Sequence, residues 1–460
     1  MRIPLLLLAL SAPGILAQDQ VATPTLIEHV TVVDVVTGEE RKECTVRIQD
    51  GRILSVTHTG PLDEAVPGAV DAHGGFLIPG LWDMHVHVHE TSELPLYVAN
   101  GVTGIRIMAG ERNTKALRAE LSGKKPSPDV YLASAIVDGT SPMWPGSIVV
   151  KKAADARQAV DEIKVSSADF IKVYDGVPRD AYFALADEAK LQCIDFAGHV
   201  PESVTAQEAS AAGQRSMEHL QGIALACSRS QETLNVEMQH APFFLERLKI
   251  EADGFRSFDQ RKCQELFAEF RQNDTWQVPT LTLRRVWGRL DDSRITSDPR
   301  IVYVGKKSRE RWEDRTQPLL RRWTHSDYQM ARGVFEVEEK IVGGMYRAGV
   351  PILAGTDAMN PYCFPGFSLH DELALLVDAG LTPLAALQTA TLNPAKFLKR
   401  TSEHGTIQPG KNADLVLLRA DPLIDIHNTT QIEAVWLNGR YFDRAALADL
   451  LEAAKGEARH

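Results

Sequence analysis

The feature that most constrains this chain is an alternation of short apolar runs with helical stretches, which extends from about residue 79 to residue 400. The stretches between the runs are rich in Ala, Glu and Leu. Such alternation is typical of repeated strand–helix units whose strands pair in parallel. The candidate strands cover residues 81–88, 104–108, 130–135, 170–174, 195–199, 215–219, 276–281 and 351–355. Eight such units predict an α/β fold, a (β/α)8 TIM-like barrel.

The two flanks of this region have a different, β-rich pattern. β-branched runs separated by Gly and Asp turns fill residues 21–78, and similar runs lie within residues 405–444, where Asn438-Gly439 is a hairpin signal. The simplest arrangement pairs both flanks in one discontinuous domain, which we expect to be a small β-sandwich. The barrel then covers residues 79–400, and residues 445–460 form a C-terminal helix or tail.

The first residues have the pattern of an export signal. Arg2 precedes an apolar run over residues 4–10, and the segment ends in the small residue Ala17. The run is shorter than the roughly 20 residues that a membrane-spanning helix needs. Residues 1–17 therefore predict a cleaved signal peptide and a periplasmic or secreted protein, with a buried N-terminal element as the alternative.

Charge and cysteine content narrow the expected partners. Asp and Glu total 61 against 50 Lys and Arg, a net charge of −11, and no basic face stands out. Nucleic acid and anionic membrane surfaces are therefore not expected as partners, whereas a small-molecule substrate is, and self-association into a homo-oligomer stays open. The five cysteines form no C-x-x-C pair and are expected to be buried apolar fillers, with any disulfide pairing left open.

Ligand-type side chains lie in or at the ends of several candidate strands. His85 and His87 are two residues apart, so they project to the same strand face. Paired imidazoles suit a divalent metal of the zinc type. His199, His219 and Asp357 end or follow three later strands. Since functional groups gather at the C-terminal strand ends of such a barrel, these side chains are expected to meet there.

Lys172 stands inside the apolar strand FIKVYDG. A buried ammonium without a partner is costly, so such a lysine forms a salt bridge, has a shifted pKa or is chemically modified. Reaction with carbon dioxide would convert its amine into a carbamate, an anionic oxygen ligand able to bridge two metals.

Together these motifs resemble the amidohydrolase superfamily, in particular the imidazolonepropionase-like and prolidase-like metal-dependent hydrolases. The resemblance spans residues 21 to about 443 and includes PGLWDMHVH, the lysine of strand four, the two later histidines, AGTDA, LTPLAALQTATLNPA and GTIQPGKNADLVLL. It implies two divalent metal ions, with Zn2+ the first choice.

The resemblance also implies a role for each ligand-type residue. His85 and His87 would bind the buried metal and Asp357 would join them, while His199 and His219 would bind the more exposed metal. Lys172, as N6-carboxylysine, would bridge the two ions. Asp357 would also be the catalytic residue that handles the proton of the nucleophilic water.

The expected function is that of a binuclear metal-dependent hydrolase cleaving the amide- or peptide-type C–N bond of a small substrate with a metal-bridging hydroxide. A cyclic amidohydrolase or a mononuclear deaminase is the alternative enzyme, although a mononuclear deaminase does not need Lys172. A metal-free barrel that serves as a scaffold for protein interaction is the alternative outside catalysis, and such a scaffold typically loses ligands.

Four residues are weighed as substrate contacts, with Tyr174 and Arg284 the candidates. Tyr174 shares a strand face with Lys172 and could donate a hydrogen bond to substrate, or pack at the rim. Arg284 and its neighbour Arg285 follow the seventh strand and could grip a substrate carboxylate, or form surface salt bridges; Arg106 has the same two interpretations.

Long helical stretches, residues 220–275 and 282–350, separate the last three candidate strands. They are interpreted as lids or substrate walls, or as extra packing against the barrel. His370 and Glu372, on the helix after strand eight, are expected to pack or to cap a helix.

Overall fold

The structure, a computed structural model, describes residues 25–58, 68–123, 125–241 and 243–459. The predicted signal peptide, residues 1–17, lies outside the described residues. The strands are β1 (Thr25–Val33), β2 (Glu40–Gln49), β3 (Arg52–His58), β4 (Val70–Asp71), β5 (Phe76–Pro79), β6 (Leu81–Val86), β7 (Val102–Ile107), β8 (Asp129–Leu132), β9 (Val137–Asp138), β10 (Ile148–Val149), β11 (Ile171–Val173), β12 (Phe196–Gly198), β13 (Ser216–Glu218), β14 (Trp276–Val278), β15 (Leu415–Leu418), β16 (Ile432–Leu437) and β17 (Arg440–Asp443).

Helices separate most of the central strands. They are α1 (Leu94–Ala99), α2 (Thr114–Leu121), α3 (Ala153–Val165), α4 (Arg179–Leu191), α5 (Ala206–Ala211), α6 (Ile223–Ala226), α7 (Gln231–Gln239), α8 (Phe244–Arg256), α9 (Gln260–Gln272), α10 (Leu281–Trp287), α11 (Ser293–Thr296), α12 (Lys306–Arg322), α13 (His325–Arg347), α14 (Phe367–Asp378), α15 (Pro383–Thr389), α16 (Leu392–Phe397) and α17 (Arg444–Glu457). Short 3-10 turns lie at Thr91–Glu93, Pro299–Tyr303 and Ile426–Thr430.

The central strands pair in parallel, as the sequence predicts, and two short strands that it did not predict, β9 and β10, join them. One sheet has the order β6-β7-β8 and a second has the order β10-β9-β11-β12-β13-β14. Isolated parallel bridges link the sheets and the segment after α13; they join Ala133 to Phe170, Gln277 to Ile352, and Val86 to Ala358. The eighth predicted strand, residues 351–355, is represented by the bridge at Ile352.

The seventh predicted strand is shorter than expected. β14 ends at Val278, and Leu281, predicted to end the strand, begins α10 instead. The reason is a tertiary contact, because the Glu372 carboxylate of α14 accepts hydrogen bonds from the backbone N–H groups of Leu281 (3.0 Å) and Thr282 (2.7 Å). These N–H groups have no partner within their own helix. Glu372 therefore acts as a helix cap, as the sequence predicts.

Helix α4 shows how the sequence specifies the outer layer. Ala181, Leu185 and Ala189 recur every fourth residue and are buried against the sheet. Asp180 lies in the first turn and Lys190 in the last, where their charges complement the helix dipole. Every residue of β6, β7, β11, β12, β13 and β14 is buried, as expected for parallel strands.

Both flanks of the central region join one sheet. Its order is β17-β16-β15-β5-β1-β2-β3, with β4 beside β1. β5 pairs in parallel with β1 and antiparallel with β15, so the two flanks meet at this strand. Asn438 and Gly439, with φ of 50° and 77°, make the tight turn between β16 and β17. A β-sandwich would need a second sheet packed against this one, so the sandwich stays a prediction.

The two long stretches near the end of the barrel region are helical, as predicted. Residues 220–275 contain α6 to α9, and residues 282–350 contain most of α10 and α11 to α13. α13 has 23 residues. Within the described ranges, no helix is both long enough and apolar enough to cross a membrane.

Two cysteines form a disulfide that the spacing did not reveal. Cys227, which follows α6, is bonded to Cys263 of α9, 36 residues further along the chain. Both cysteines are buried as expected, and their bond is a pairing that the sequence left open. Cys44 and Cys363 are free and buried as expected, whereas the free Cys193 is exposed.

Candidate metal centre and active site

A cavity of about 540 Å³ opens at the carboxyl ends of the central strands. His87, Lys172, His199, His219 and Asp357 all line it. Its volume lies in the range of small-molecule sites, about 300–1,000 Å³. The structure thus brings these predicted ligands to the end of the fold where a barrel carries its functional groups.

His85, His219 and Asp357 form a compact group that could hold a metal ion. Each offers one ligand atom, and these atoms lie within 4.8 Å of one another. One oxygen of Asp357, Oδ1, lies 3.4 Å from His85 Nε2 and 2.9 Å from His87 Nε2. His85 Nε2 is buried and has no hydrogen-bond partner among the described residues. A buried polar atom rarely stays unsatisfied, so this donor set fits a divalent cation.

Three of the histidines are oriented by polar neighbours. In each case ring atom Nδ1 contacts an oxygen, which leaves Nε2 free for a metal. The contacts are His85 to Glu218 Oε2 (2.7 Å), His199 to Asp175 Oδ1 (2.6 Å) and His219 to Thr280 Oγ1 (2.8 Å). Such outer partners fix the ring tautomer and are characteristic of metal-binding histidines.

Glu218 is fully buried beside His85. Arg106 donates to Glu218 Oε1 at 3.0 Å and Ser216 Oγ donates at 2.5 Å. Burial acts to raise the pKa of Glu218, but Arg106 and His85 outweigh it and bring the pKa well below its ordinary value. Burial lowers the pKa of His85 to about 4. The pair is therefore an ionised carboxylate and a neutral imidazole, the form that binds metals.

Asp357 is ionised although it is buried. Burial acts to raise its pKa, but the neighbouring His85 and His219 outweigh this effect and bring the pKa far below its ordinary value. Asp357 and His219 adopt φ values of 57° and 59°, in the left-handed region that non-glycine residues seldom occupy. Such strain is concentrated at functional sites. The backbone strain at Asp357 and His219 is therefore more typical of a functional site than of ordinary core packing.

Lys172 is 1% exposed. No described residue forms a hydrogen bond or ion pair with its Nζ, which lies 5.9 Å from the centroid of the Tyr174 ring. Burial lowers the pKa of Lys172 to about 8. A Cβ at Gly198 would lie 2.9 Å from the Lys172 Cδ atom and 2.3 Å from the Val173 carbonyl oxygen. A side chain at position 198 would therefore clash with the aliphatic part of Lys172 and with the backbone.

Comparisons with known proteins agree with this geometry. A model of the Amidohydrolase family matches residues 311–441. The solved structure described as bottromycin amidohydrolase superposes with a TM-score of 0.74 and 25% identity, over 94% of this chain and 91% of that chain. These matches support membership of the amidohydrolase superfamily. A Xaa-Pro dipeptidase with bound methionine has a similar fold, with a TM-score of 0.66 and 19% identity over 91% of this chain and 100% of that chain.

Among curated members of the amidohydrolase superfamily, the matches are local. The imidazolonepropionase of Geobacillus kaustophilus is 38% identical over 80 residues, which are 17% of this chain and 19% of that protein. The chain thus spans less than a fifth of the length of this curated relative. The likeness in fold to the solved amidohydrolases supports a TIM-like barrel for the central strands.

The candidate substrate contacts Tyr174 and Arg284 both line the cavity but have different partners. Tyr174 lines the cavity, stacks on His199 with ring centroids 4.1 Å apart, and accepts a hydrogen bond from Trp144 Nε1 at 2.9 Å. Arg284 also lines the cavity, but it is bound to Glu251 Oε2 (2.6 Å) and Glu338 Oε1 (2.5 Å). The structure therefore matches the salt-bridge interpretation of Arg284, with the ion pairs partly buried at the cavity wall.

Arg106 is not a surface residue. It is fully buried and bound to Glu218, so gripping a substrate carboxylate is excluded for it. Arg285 lies 3.7 Å from Asp371, a partly exposed ion pair of the predicted kind. His370 packs as predicted, with its ring nitrogens against Thr429 Oγ1 and the Asn100 carbonyl oxygen.

The sequence did not single out the residues that orient the histidines. Glu218, Asp175 and Thr280 lie 133, 24 and 61 positions from the histidines that they orient. Glu218 directly precedes a different ligand-type residue, His219. An acidic residue inside the buried strand Ser216–Glu218 is the one local signal that could have indicated a polar network. The long helical stretches also contribute to the site, because Met238, Phe244 and Trp287 line the cavity.

Proposed function

We propose that this protein is a binuclear metal-dependent hydrolase that cleaves the amide- or peptide-type C–N bond of a small substrate. The observation that carries this proposal is the convergence of ligand-type side chains from separate strands on one cavity, with His85 Nε2 left without a hydrogen bond among the described residues. The metal-free scaffold is not favoured, because such a protein has no need for three oriented imidazoles.

The proposed ligands divide into two sets. His85, His87 and Asp357 would hold the buried ion, and His199 and His219 would hold the exposed one. Two bound divalent ions, Zn2+ in this proposal, would supply Lewis acidity to the substrate carbonyl and lower the pKa of water towards neutrality. Glu218, Asp175 and Thr280 keep the imidazoles in place.

Lys172 is proposed to be N6-carboxylysine and to bridge the two ions. Its buried amine, with a pKa lowered to about 8, is partly neutral near pH 7 and can attack the carbon of CO2. The new N–C bond gives a carbamate, and the proton lost from nitrogen passes to solvent. The resulting anion compensates the positive charge of the ions in a buried site. A mononuclear deaminase would leave this lysine without a role.

Asp357 is proposed to be the catalytic residue. Its carboxylate is ionised at all physiological pH values, so it can accept the proton of the attacking water. It then gives this proton to the nitrogen of the leaving amine as the C–N bond breaks. The apolar walls of the cavity, which include Leu248 and Leu283, limit the access of bulk water.

Replacement of Lys172 tests the proposal. Wild-type protein should contain two equivalents of metal by elemental analysis and hydrolyse at least one member of a panel of dipeptides, N-acyl amino acids and lactams. Lys172→Ala should contain at most one equivalent and lose more than about a hundredfold in kcat/KM, since loss of outer partners alone costs about 10–100-fold. Lys164→Ala, on the exposed face of α3, is the control. Full activity of Lys172→Ala with two bound metals would contradict the proposal.

We propose the domain boundaries predicted from the sequence. These are a signal peptide (residues 1–17), a discontinuous β domain (21–78 and 405–444), a closed eight-stranded barrel (79–400) and a C-terminal helix (445–460). The parallel bridges between the two central sheets support closure of the barrel. The disulfide between Cys227 and Cys263 supports export, because such bonds persist in oxidising compartments.

A further inference from the structure

One arginine on the cavity wall differs from the other two in its partners. Arg247 and Arg284 each bind two carboxylates, those of Asp175 and Glu202 and those of Glu251 and Glu338, respectively. Arg315 of α12 also lines the cavity. No carboxylate of the described residues lies within ion-pair distance of its guanidinium. Arg315 is therefore the arginine of the cavity wall that forms no ion pair with a described carboxylate.

The guanidinium of Arg315 is held in a defined position. Its central carbon lies over the rings of Trp144 and Trp287, 5.3 and 5.6 Å from their centroids. Nη1 donates a hydrogen bond to Asn360 Oδ1. Nε and Nη2 donate no hydrogen bond to a described residue, so they are available to a ligand. Of the five N–H donors of an arginine, one is engaged in this contact.

The position of Arg315 relates it to the proposed reaction centre. Asn360, which accepts its hydrogen bond, also donates from Nδ2 to the Asp357 carbonyl oxygen at 3.0 Å. Two contacts thus connect the guanidinium to the proposed catalytic residue. An anion bound at the free edge of Arg315 would lie in the same cavity as the group that is cleaved.

We propose that Arg315 binds a carboxylate of the substrate and makes the enzyme selective for amides that carry one. This inference rests on the proposed hydrolase function and names the substrate class of that site. A guanidinium fork matches a carboxylate with two parallel hydrogen bonds. Arg284, the arginine predicted from the sequence for this task, is already neutralised by Glu251 and Glu338.

The apolar part of the cavity adds a second element of the substrate class. Phe244, Leu248 and Trp287 lie on its wall, and Trp287 also contacts Arg315. An apolar group attached near the carboxylate would therefore contact the wall while the charge contacts the arginine. An N-acyl amino acid or dipeptide with a bulky apolar side chain has this combination.

Two small probes of the same shape, one charged and one neutral, test the inference by binding alone, without turnover. The probes are 3-phenylpropanoate and 3-phenylpropanamide, measured by calorimetry on the metal-loaded protein. Wild type should bind the carboxylate at least about tenfold more tightly, as expected for hydrogen bonds to charged groups. Arg315→Gln should bind both probes equally, and Arg315→Lys should retain part of the preference because it keeps the charge but not the fork.

Kinetics provide the second measurement. For the best N-acyl amino acid of the panel, Arg315→Gln should raise KM at least about tenfold with kcat nearly unchanged. For the decarboxylated analogue of that substrate, the loss of kcat/KM in Arg315→Gln should be at least about tenfold smaller. Arg311→Gln, an exposed arginine one turn earlier on α12, is the matched control and should behave as wild type.

The outcomes separate the two proposals. Equal binding of both probes by wild type, or an unchanged preference in Arg315→Gln, would overturn the role of Arg315 while hydrolysis continues. A protein that lacks metal and hydrolyses no amide, yet loses its carboxylate preference on Arg315→Gln, would refute the proposed function and leave the carboxylate site supported. Should Arg315→Gln not fold, the comparison of wild type with Arg315→Lys decides the question.

Discussion

At the scale of single residues, the site depends on side chains that touch no substrate. One carboxylate oxygen of Glu218 contacts Nδ1 of His85, and Glu218 also forms an ion pair with Arg106. All three side chains are buried. Removing one partner of a buried pair leaves the other charge uncompensated, which costs more than the pair contributes. Glu218 is therefore a positioning residue for the proposed buried metal.

Glu218→Gln should weaken metal binding by about 10–100-fold, the usual effect of losing an outer partner of a histidine ligand. The reason is that the amide cannot hold the His85 ring with a charge and leaves Arg106 unpaired. Competition with a chelator of known affinity measures the change. Glu265→Gln, whose side chain is 61% exposed on α9, is the control. Equal metal affinity of both variants would show that Glu218 has no part in metal binding.

At the scale of elements, helices outside the barrel repeat build the cavity wall. Leu225 of α6 lines the cavity, and Cys227 directly after this helix is bonded to Cys263 of α9. The disulfide therefore anchors a four-residue helix that is too short to be stable alone. The wall depends on this covalent link as well as on packing.

Removal of this disulfide should lower the free energy of unfolding by about 4 kcal/mol, the chain-entropy value for a loop of this length. The double variant Cys227→Ser, Cys263→Ser is compared with wild type by urea unfolding with and without reductant. Cys193→Ser, which replaces an exposed free thiol, should have no effect. A wild-type unfolding midpoint that reductant does not change would mean that the bond makes no contribution.

At the scale of the whole molecule, the two chain ends stabilise one sheet beside the central region. β5, which pairs with β1 and β15, is separated from β6 only by Gly80. A Cβ at Gly80 would lie 2.1 Å from Thr103 Oγ1, so the connection is tightly packed. The flanking sheet and the first strand of the central region are therefore continuous in structure as well as in sequence.

The proposed export belongs to the same scale. Expressed in a bacterium with its first residues intact, the protein should appear in the periplasm with Gln18 as its N-terminal residue, by intact mass. Leu6→Asp with Leu7→Asp interrupts the apolar run and should keep the uncleaved protein in the cytoplasm. A wild-type protein that stays uncleaved in the cytoplasm would contradict the signal peptide.

Much of the fold could be predicted because its signals are local. Apolar runs, turn residues and their alternation with helical stretches place seven of the predicted strands and the Asn438-Gly439 turn correctly. The ligand-type residues could be found for the same reason, since His199 and His219 directly follow their strands. The end of β14 could not, because a carboxylate on α14 determines where α10 begins.

By itself, the sequence determined which residues stand at the strand ends, because strand periodicity and strand length are properties of neighbouring residues. Only the tertiary structure decided how these residues are used. Arg106 pairs with Glu218, and Arg284 pairs with Glu251 and Glu338. Arg315 lines the cavity without an ion pair to a described carboxylate. Charge pairing in a folded chain depends on distances across elements, and spacing along the sequence does not encode those distances.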